Sequence, residues 1–398
     1  MRFETVCFVF EIPPLDIYFE RYDMGLLIKN GYKVTVCDLS PILHPIAYNQ
    51  RSVGLLEEKC KVPVYHIYNK HELKTLMKQQ DNTFYISTLP VFGKSYSLIK
   101  QISKKHYGFA CNVDYVPKVP VKEKVHSIGF WTKWTKERIL EAIFARLPKK
   151  YLPVTKADVV ITYTDKGLNK LLNNTLWNSK TKIMLTNTLD YNECLKAMKQ
   201  NERIINSPFV CHQRTSVNYS IAFSDGKENN IHIDPDEYYY EIRLFLSSLE
   251  RILGKKVVIA GHPRGDYEKY AKYYKGFEVF QFCTCRLVKD ASIVISHASI
   301  SLSFVMIFQK KLLLISTDEM EAIEAINNSL ASAGEMTHHR IINISKVKND
   351  KEIIAAIEEI NQESTDYKEQ RSYYCLQENQ ENSKFQFGEI IINAISKI

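Results

Sequence analysis

Two short stretches of this chain carry residue types suited to holding an anion. Gly261-His262-Pro263-Arg264-Gly265 follows the apolar run Val257–Ala260, and Ser296-His297-Ala298-Ser299-Ile300-Ser301 follows Ile293–Ile295. In the first, Gly261 and Gly265 permit tight turns, Pro263 stiffens the loop, and His262 and Arg264 present donors. A guanidinium matches a phosphate with two parallel hydrogen bonds. In the second, the hydroxyls of Ser296, Ser299 and Ser301 precede the apolar helix expected over Leu302–Phe308. Hydroxyls and the first unpaired amides of a helix form an anion cradle. Taken singly, each stretch also fits an ordinary strand-exit turn or a serine cap. Taken together, with one strand–helix unit between them, they predict a single crevice for a phosphate-bearing ligand.

The elements that must position these loops follow from hydrophobic periodicity. Short β-branched runs alternate with amphipathic ones from Thr5–Phe10 onward, which predicts parallel sheets covered on both faces. In the second half, Tyr219–Asp225 reads as a strand. Asp234-Pro235-Asp236 reads as a helix start, with an N-cap Asp and Pro at N1, and Gly254 as its stop. Then come strands at Lys256–Ala260, Phe277–Phe282, Ser292–Ser296, Lys311–Ile315 and His339–Ile344, with a helix near Asp266–Tyr274. The expected organisation is α/β: two Rossmann-like, doubly wound domains facing a central cleft, over residues 1–203 and 204–370, with a helical tail at 371–398.

Composition excludes several classes. The 398 residues are 45% apolar and 25% charged, with 14 Gly and 13 Pro, which rules out collagen-like, low-complexity and disordered chains. No uncharged apolar run approaches the ~18 residues of a membrane span, and Thr5–Phe10 is too short for a signal-peptide core. Nine scattered cysteines lack any zinc-like spacing, so no metal site is expected and a reducing cytoplasm fits.

The net charge of +8 is concentrated. Residues 118–156 contribute +7 of it, leaving the other 359 almost neutral, so one localised anionic partner is expected. Trp131, Lys133, Trp134, Lys136, Lys149 and Lys150 interleave aromatic rings with cations, a composition that suits an anionic membrane surface. Core packing of the rings beneath a solvated helix is the alternative. No nucleic-acid recognition motif accompanies the charge.

The stretch Tyr219–Met320, with its His-Pro and serine motifs, resembles the C-terminal half of GT-B-type bacterial surface-polysaccharide glycosyltransferases. It is similar to the group of bacterial sialyltransferases and Kdo transferases, which use CMP-activated sugars. The matching residues are Asp225-Gly226, His262-Pro263, and Ser299 with Ser301. The acidic motif has one acid where the family pattern usually has two, and Ile300 interrupts the serines. Residues 1–200 share only the strand–helix pattern.

The resemblance implies an inverting transfer in which Asp225 acts as base, His262 binds or protonates the leaving phosphate, and Ser299 and Ser301 hold it. Glu11 and Asp16, just past the first strand, are alternative bases. The substrate would be a nucleotide-sugar donor, most plainly a CMP-linked acidic sugar, and the acceptor a glycan or lipid-linked glycan at the inner membrane. No cofactor is implied. The alternatives are a UDP- or GDP-sugar transferase, a nucleotide-sugar epimerase of the same fold, and a non-catalytic scaffold in glycan assembly.

Overall fold

The computed structural model describes residues 3–49, 55–56, 60, 62–89, 93–111, 156–163, 180–213, 233–263, 265–375 and 385–398. Asp225, Arg264, Trp131, Lys133, Trp134, Lys136, Lys149, Lys150 and the strand expected at Tyr219–Asp225 lie outside them. The described residues form two units. One gathers residues up to Leu189 and, from the far end of the chain, Cys375–Ile398; the other comprises Asp190–Tyr374.

The first unit holds a seven-stranded sheet: β1 (Thr5–Phe10), β2 (Lys33–Asp38), β3 (Val64–His66), β4 (Thr83–Ser87), β5 (Tyr107–Cys111), β6 (Val159–Thr162) and β7 (Lys182–Leu185). Its order is β3-β2-β1-β4-β5-β6-β7, and every pairing is parallel. β1 shows why its sequence is a continuous apolar run. Val6, Phe8 and Phe10 enter one core with Phe387 and Ile390, while Cys7 and Val9 enter another with Leu73 and Leu98. A parallel strand buried on both faces has no polar side to show.

The tail expected at 371–398 is not a separate element. Its helix Phe387–Ser396 completes the first unit's core, with Phe387, Ile390, Ile391 and Ala394 fully buried. The Phe387 ring meets Tyr22 edge-on at 5.5 Å, and the Gly388 N–H donates to Asp23 Oδ2 at 3.1 Å. Gly388 allows that approach: a Cβ there would stand 2.7 Å from the Asp23 Cβ.

The second unit holds β8 (Phe209–Gln213), β9 (Lys256–Gly261), β10 (Glu278–Gln281), β11 (Ile293–Ser296), β12 (Lys311–Ser316) and β13 (Ile341–Asn343). They are ordered β10-β9-β8-β11-β12-β13, again all parallel. The central strand, Phe209–Gln213, is one the periodicity does not single out. The chain passes from one unit to the other after Leu189, earlier than the boundary expected at residue 203. Lys289 Nζ donates to the carbonyls of Ala197 and Gln200, and Cys285 packs on Cys194, which ties this stretch to the second unit.

The helix Pro235–Leu253 follows its sequence signals. The Asp234 carboxylate accepts from the Asp236 N–H, Pro235 opens the first turn, and Gly254 closes the last at φ 59°. The helix expected near Asp266–Tyr274 is instead a set of turns ending in a single 3-10 turn at Ala271–Tyr274. There Asp266 Oδ1 accepts from the Lys269 N–H, the bond an N-cap side chain makes, yet only turns follow it.

Phe387→Ala should destabilise the protein by about 3–5 kcal/mol, the cost of emptying a buried aromatic site. Urea unfolding checks it, and a midpoint equal to wild type would mean the helix does not serve as core.

Candidate functional site

In both sheets strand order reverses beside the strand that comes first in sequence: β1 lies between β2 and β4, and β8 between β9 and β11. At such a switch point the loops leaving adjacent strands diverge to opposite faces, and a crevice opens at the carboxyl edge. In the second unit Gln213, the last residue of β8, is in register with Ala260 on one side and Ser296 on the other. The two predicted loops therefore leave the same edge, with one strand between them, roughly 10 Å apart at two strand spacings. Here the structure joins residues that the sequence separates by 35 positions.

The first loop is held through its backbone. The His262 N–H donates to the Tyr267 hydroxyl at 2.6 Å, and Gln281 Nε2 donates to the carbonyls of His262 (3.1 Å) and Gly265 (2.8 Å). Gly265 N–H closes the turn onto His262 O at 2.9 Å. The glycines are required by contact. A Cβ on Gly261 would stand 2.8 Å from the Tyr267 ring and 3.1 Å from Gln281, and one on Gly265 would stand 2.6 Å from the same ring. His262 and Pro263 are half-buried at this edge.

The second loop is anchored by groups the sequence does not flag. His297 is buried, its Nδ1 2.7 Å from Ile315 O and its Nε2 3.0 Å from the Tyr238 hydroxyl. A carbonyl only accepts, so Nδ1 carries the proton, and in the neutral ring Nε2 accepts from Tyr238. Ser303 is fully buried and donates to Asp190 Oδ2 at 2.6 Å. These contacts span 59 and 113 residues of sequence, beyond any local pattern.

The predicted serines divide. Ser296 is fully buried and its hydroxyl donates to the His297 carbonyl, so it shapes the turn. Ser299 and Ser301 are half-buried, with their hydroxyls 2.7 Å apart and the Ser301 N–H directed at Ser299 Oγ. The helix that follows, Leu302–Ile307, has six residues. So short a stack of peptide dipoles adds little at its N-terminus, and the hydroxyls and loop amides are the donors that count.

Glu11 and Asp16 belong to the first unit. Glu11 directly follows β1, with Oε1 3.1 Å from His44 Nε2. Asp16 caps a short helix, accepting the Ile17 N–H at 2.7 Å. Among the described residues, no group of three or more His, Cys, Asp or Glu side chains is arranged to hold a metal ion, and no helix is long and apolar enough to cross a membrane.

No protein-family profile matches the sequence, and no curated protein matches it. Solved structures do. A variant of the wall teichoic acid polymerase TagF superposes with a TM-score of 0.55 at 11% identity, over 99% of this chain and 89% of the polymerase. A provisionally assigned UDP-N-acetylglucosamine 2-epimerase from Listeria monocytogenes gives 0.52 at 11% identity, over 100% of this chain and 97% of the other. The fold is GT-B-like. At this identity the likeness is one of fold, and the chemistry has to be argued from the site.

Tyr267→Phe should speed hydrogen exchange at the His262 amide roughly 2- to 10-fold, as expected for a bond contributing about 0.5–1.5 kcal/mol. Exchange at the wild-type rate would show that the loop is held otherwise.

Proposed function

We propose that this chain is a glycosyltransferase that moves a sugar from a nucleotide-activated donor to a surface-glycan acceptor, inverting the anomeric centre without a metal. The observation that carries the reading is the register of Gln213 with both Ala260 and Ser296, which brings loops 261–265 and 296–301 to one switch point. A nucleotide's phosphates need several donors at one place, and these loops supply an imidazole, two hydroxyls and turn amides. With Arg264, they would neutralise the charge that develops as the sugar–phosphate bond breaks. Asp225, by resemblance, remains the base proposed within this unit.

For the donor we propose a CMP-linked acidic sugar, the class used by the glycosyltransferases that the His-Pro and serine motifs resemble. The second reading is a UDP-linked sugar, for transfer or epimerisation, and it is favoured by the match to the Listeria protein, whose assignment names UDP-N-acetylglucosamine. For the acceptor we propose a lipid-linked glycan at an anionic membrane surface, with segment 118–156 as the docking region.

Thermal shifts with CMP, UDP and GDP separate the donors: the CMP reading expects the largest rise in melting temperature with CMP. A largest rise with UDP replaces it by the second reading, and no rise with any nucleotide removes the transferase. His262→Ala should lower nucleotide release from the preferred sugar donor by at least ~100-fold, the scale of losing an acid or an electrostatic stabiliser. A folded variant turning over near the wild-type rate takes His262 out of the mechanism.

A further inference from the structure

The loop carrying Ser299 and Ser301 is held at both ends, by different parts of the second unit. Before it, His297 is held by Ile315 O in β12 and by the Tyr238 hydroxyl on the helix Pro235–Leu253. After it, Ser303 Oγ lies 2.6 Å from Asp190 Oδ2 and 3.0 Å from Ile300 O. A hydroxyl has one proton to give. The Ile300 carbonyl already accepts the Ser303 N–H at 3.1 Å, so the backbone closes this turn, and the shorter contact to the carboxylate takes the hydroxyl proton. The Ser303 hydroxyl is thus surplus to its own turn. It serves Asp190.

Asp190 is 3% exposed. A carboxylate so enclosed is costly to bury unless hydrogen bonds hold its charge. It stands in the first turn of the helix Leu189–Met198, at the residue where the chain enters the second unit. Farther along, the same helix is fastened to the helix Thr284–Asp290: the sulfurs of Cys194 and Cys285 are 3.7 Å apart, and the Ala197 carbonyl accepts from Lys289 Nζ at 3.1 Å. Positions 190, 194 and 197, at spacings of four and three, share one face. The first of them meets the helix that follows the serine loop.

We infer that Asp190 is a positioning residue for the phosphate-holding loop, so that anion binding at Ser299 and Ser301 is coupled to the seating of the helix that opens the second unit. The inference deepens the transferase reading and rests on it, because it takes a nucleotide's phosphates as the ligand of this loop.

Ile300, between the two serines, is 61% exposed, so the tip of the loop takes little hold from its one large apolar side chain. Two hydroxyls 2.7 Å apart can meet one phosphate together only while they keep that spacing. A loop that wanders must be ordered at the moment of binding, which costs affinity. The Asp190–Ser303 bond supplies that order in advance, two residues beyond Ser301. Such a coupling is reciprocal: what steadies the helix tightens the loop's hold on an anion, and an anion on the loop steadies the helix.

Two measurements on the full chain test this, and the first needs no variant. Hydrogen exchange is followed by mass spectrometry in peptides covering 190–198 and 296–303, with and without saturating CMP, UDP or GDP. The nucleotide that binds should slow exchange in both stretches. Binding that leaves 190–198 exchanging as before overturns the coupling. In the second, calorimetry gives the affinity for that nucleotide in wild type, Ser303→Ala, Asp190→Ala, Asp190→Asn and the double variant Asp190→Ala/Ser303→Ala. Ser303→Ala and Asp190→Ala should each weaken binding roughly 10-fold, the scale of a hydrogen bond to a charged group. The double variant should bind no more weakly than either single one, since both remove the same bond. Asp190→Asn keeps an oxygen that accepts the Ser303 proton and should stay within roughly 3-fold of wild type. General destabilisation would instead add up in the double variant and would not spare Asp190→Asn. A folded Ser303→Ala variant that binds as tightly as wild type overturns the inference, and so does an additive double variant. Wild-type protein that binds none of the three nucleotides overturns the transferase reading itself, and this inference with it.

Discussion

The structure depends on one constraint: an interior strand of a parallel sheet is paired on both sides and covered on both faces. β1 and β8 are such strands, flanked by hydrogen-bonded neighbours and enclosed by apolar side chains. Inside the sheet the backbone amides and carbonyls of these strands are taken up by pairing. Backbone amides and carbonyls free for a ligand gather at the strand ends, and the reversal of strand order beside β1 and β8 decides where those ends diverge. Chemistry in this protein is an edge property.

The two edges are furnished differently. At the end of β8, β9 and β11 the described side chains include the His262 imidazole and the Ser299 and Ser301 hydroxyls, and the loop glycines let backbone and aromatic rings approach closely. At the end of β1, β2 and β3 the side chains are carboxylates paired with histidines. The first set offers hydrogen-bond donors; the second pairs carboxylates with histidines. Each set is supported by buried hydrogen bonds, His297 to Tyr238 and Ser303 to Asp190 in one, Asp38 to His66 and to the Ser40 amide in the other. A buried polar group left without its partner is costly, so these bonds keep the loops in one arrangement.

Much of this is legible from local pattern. The two-sheet α/β fold follows from alternating strand and helix periods, the helix Pro235–Leu253 from its Asp-Pro start and Gly stop, and the loop after β9 from glycines placed at a strand exit. Less visible was Phe209–Gln213, a five-residue strand whose Cys, His and Gln read as irregular until its neighbours pair with it on both sides. The helix expected near Asp266 is instead a set of turns, although Asp266 caps the Lys269 amide as a helix start would, and the Tyr267 hydroxyl is taken up by the His262 amide five residues back. Glu11 stands out in the sequence as an acid past the first strand. Asp38, His44 and His66 do not, since each looks like an isolated polar residue until three strands line up.

What the amino-acid sequence determines by itself is periodicity: which runs are buried, where helices start and stop, and which turns need glycine. These are decided within a few residues by backbone sterics and by the side each residue turns to the core. Tertiary structure alone decided that Ala260 and Ser296 flank one residue, that Asp190 secures Ser303, that Glu11 meets His44, and that the last helix of the chain closes the first unit's core. Those partners lie between 33 and 365 positions apart. No short-range pattern encodes them; they arise because the order of strands in a sheet is set by how the apolar faces are all covered at once.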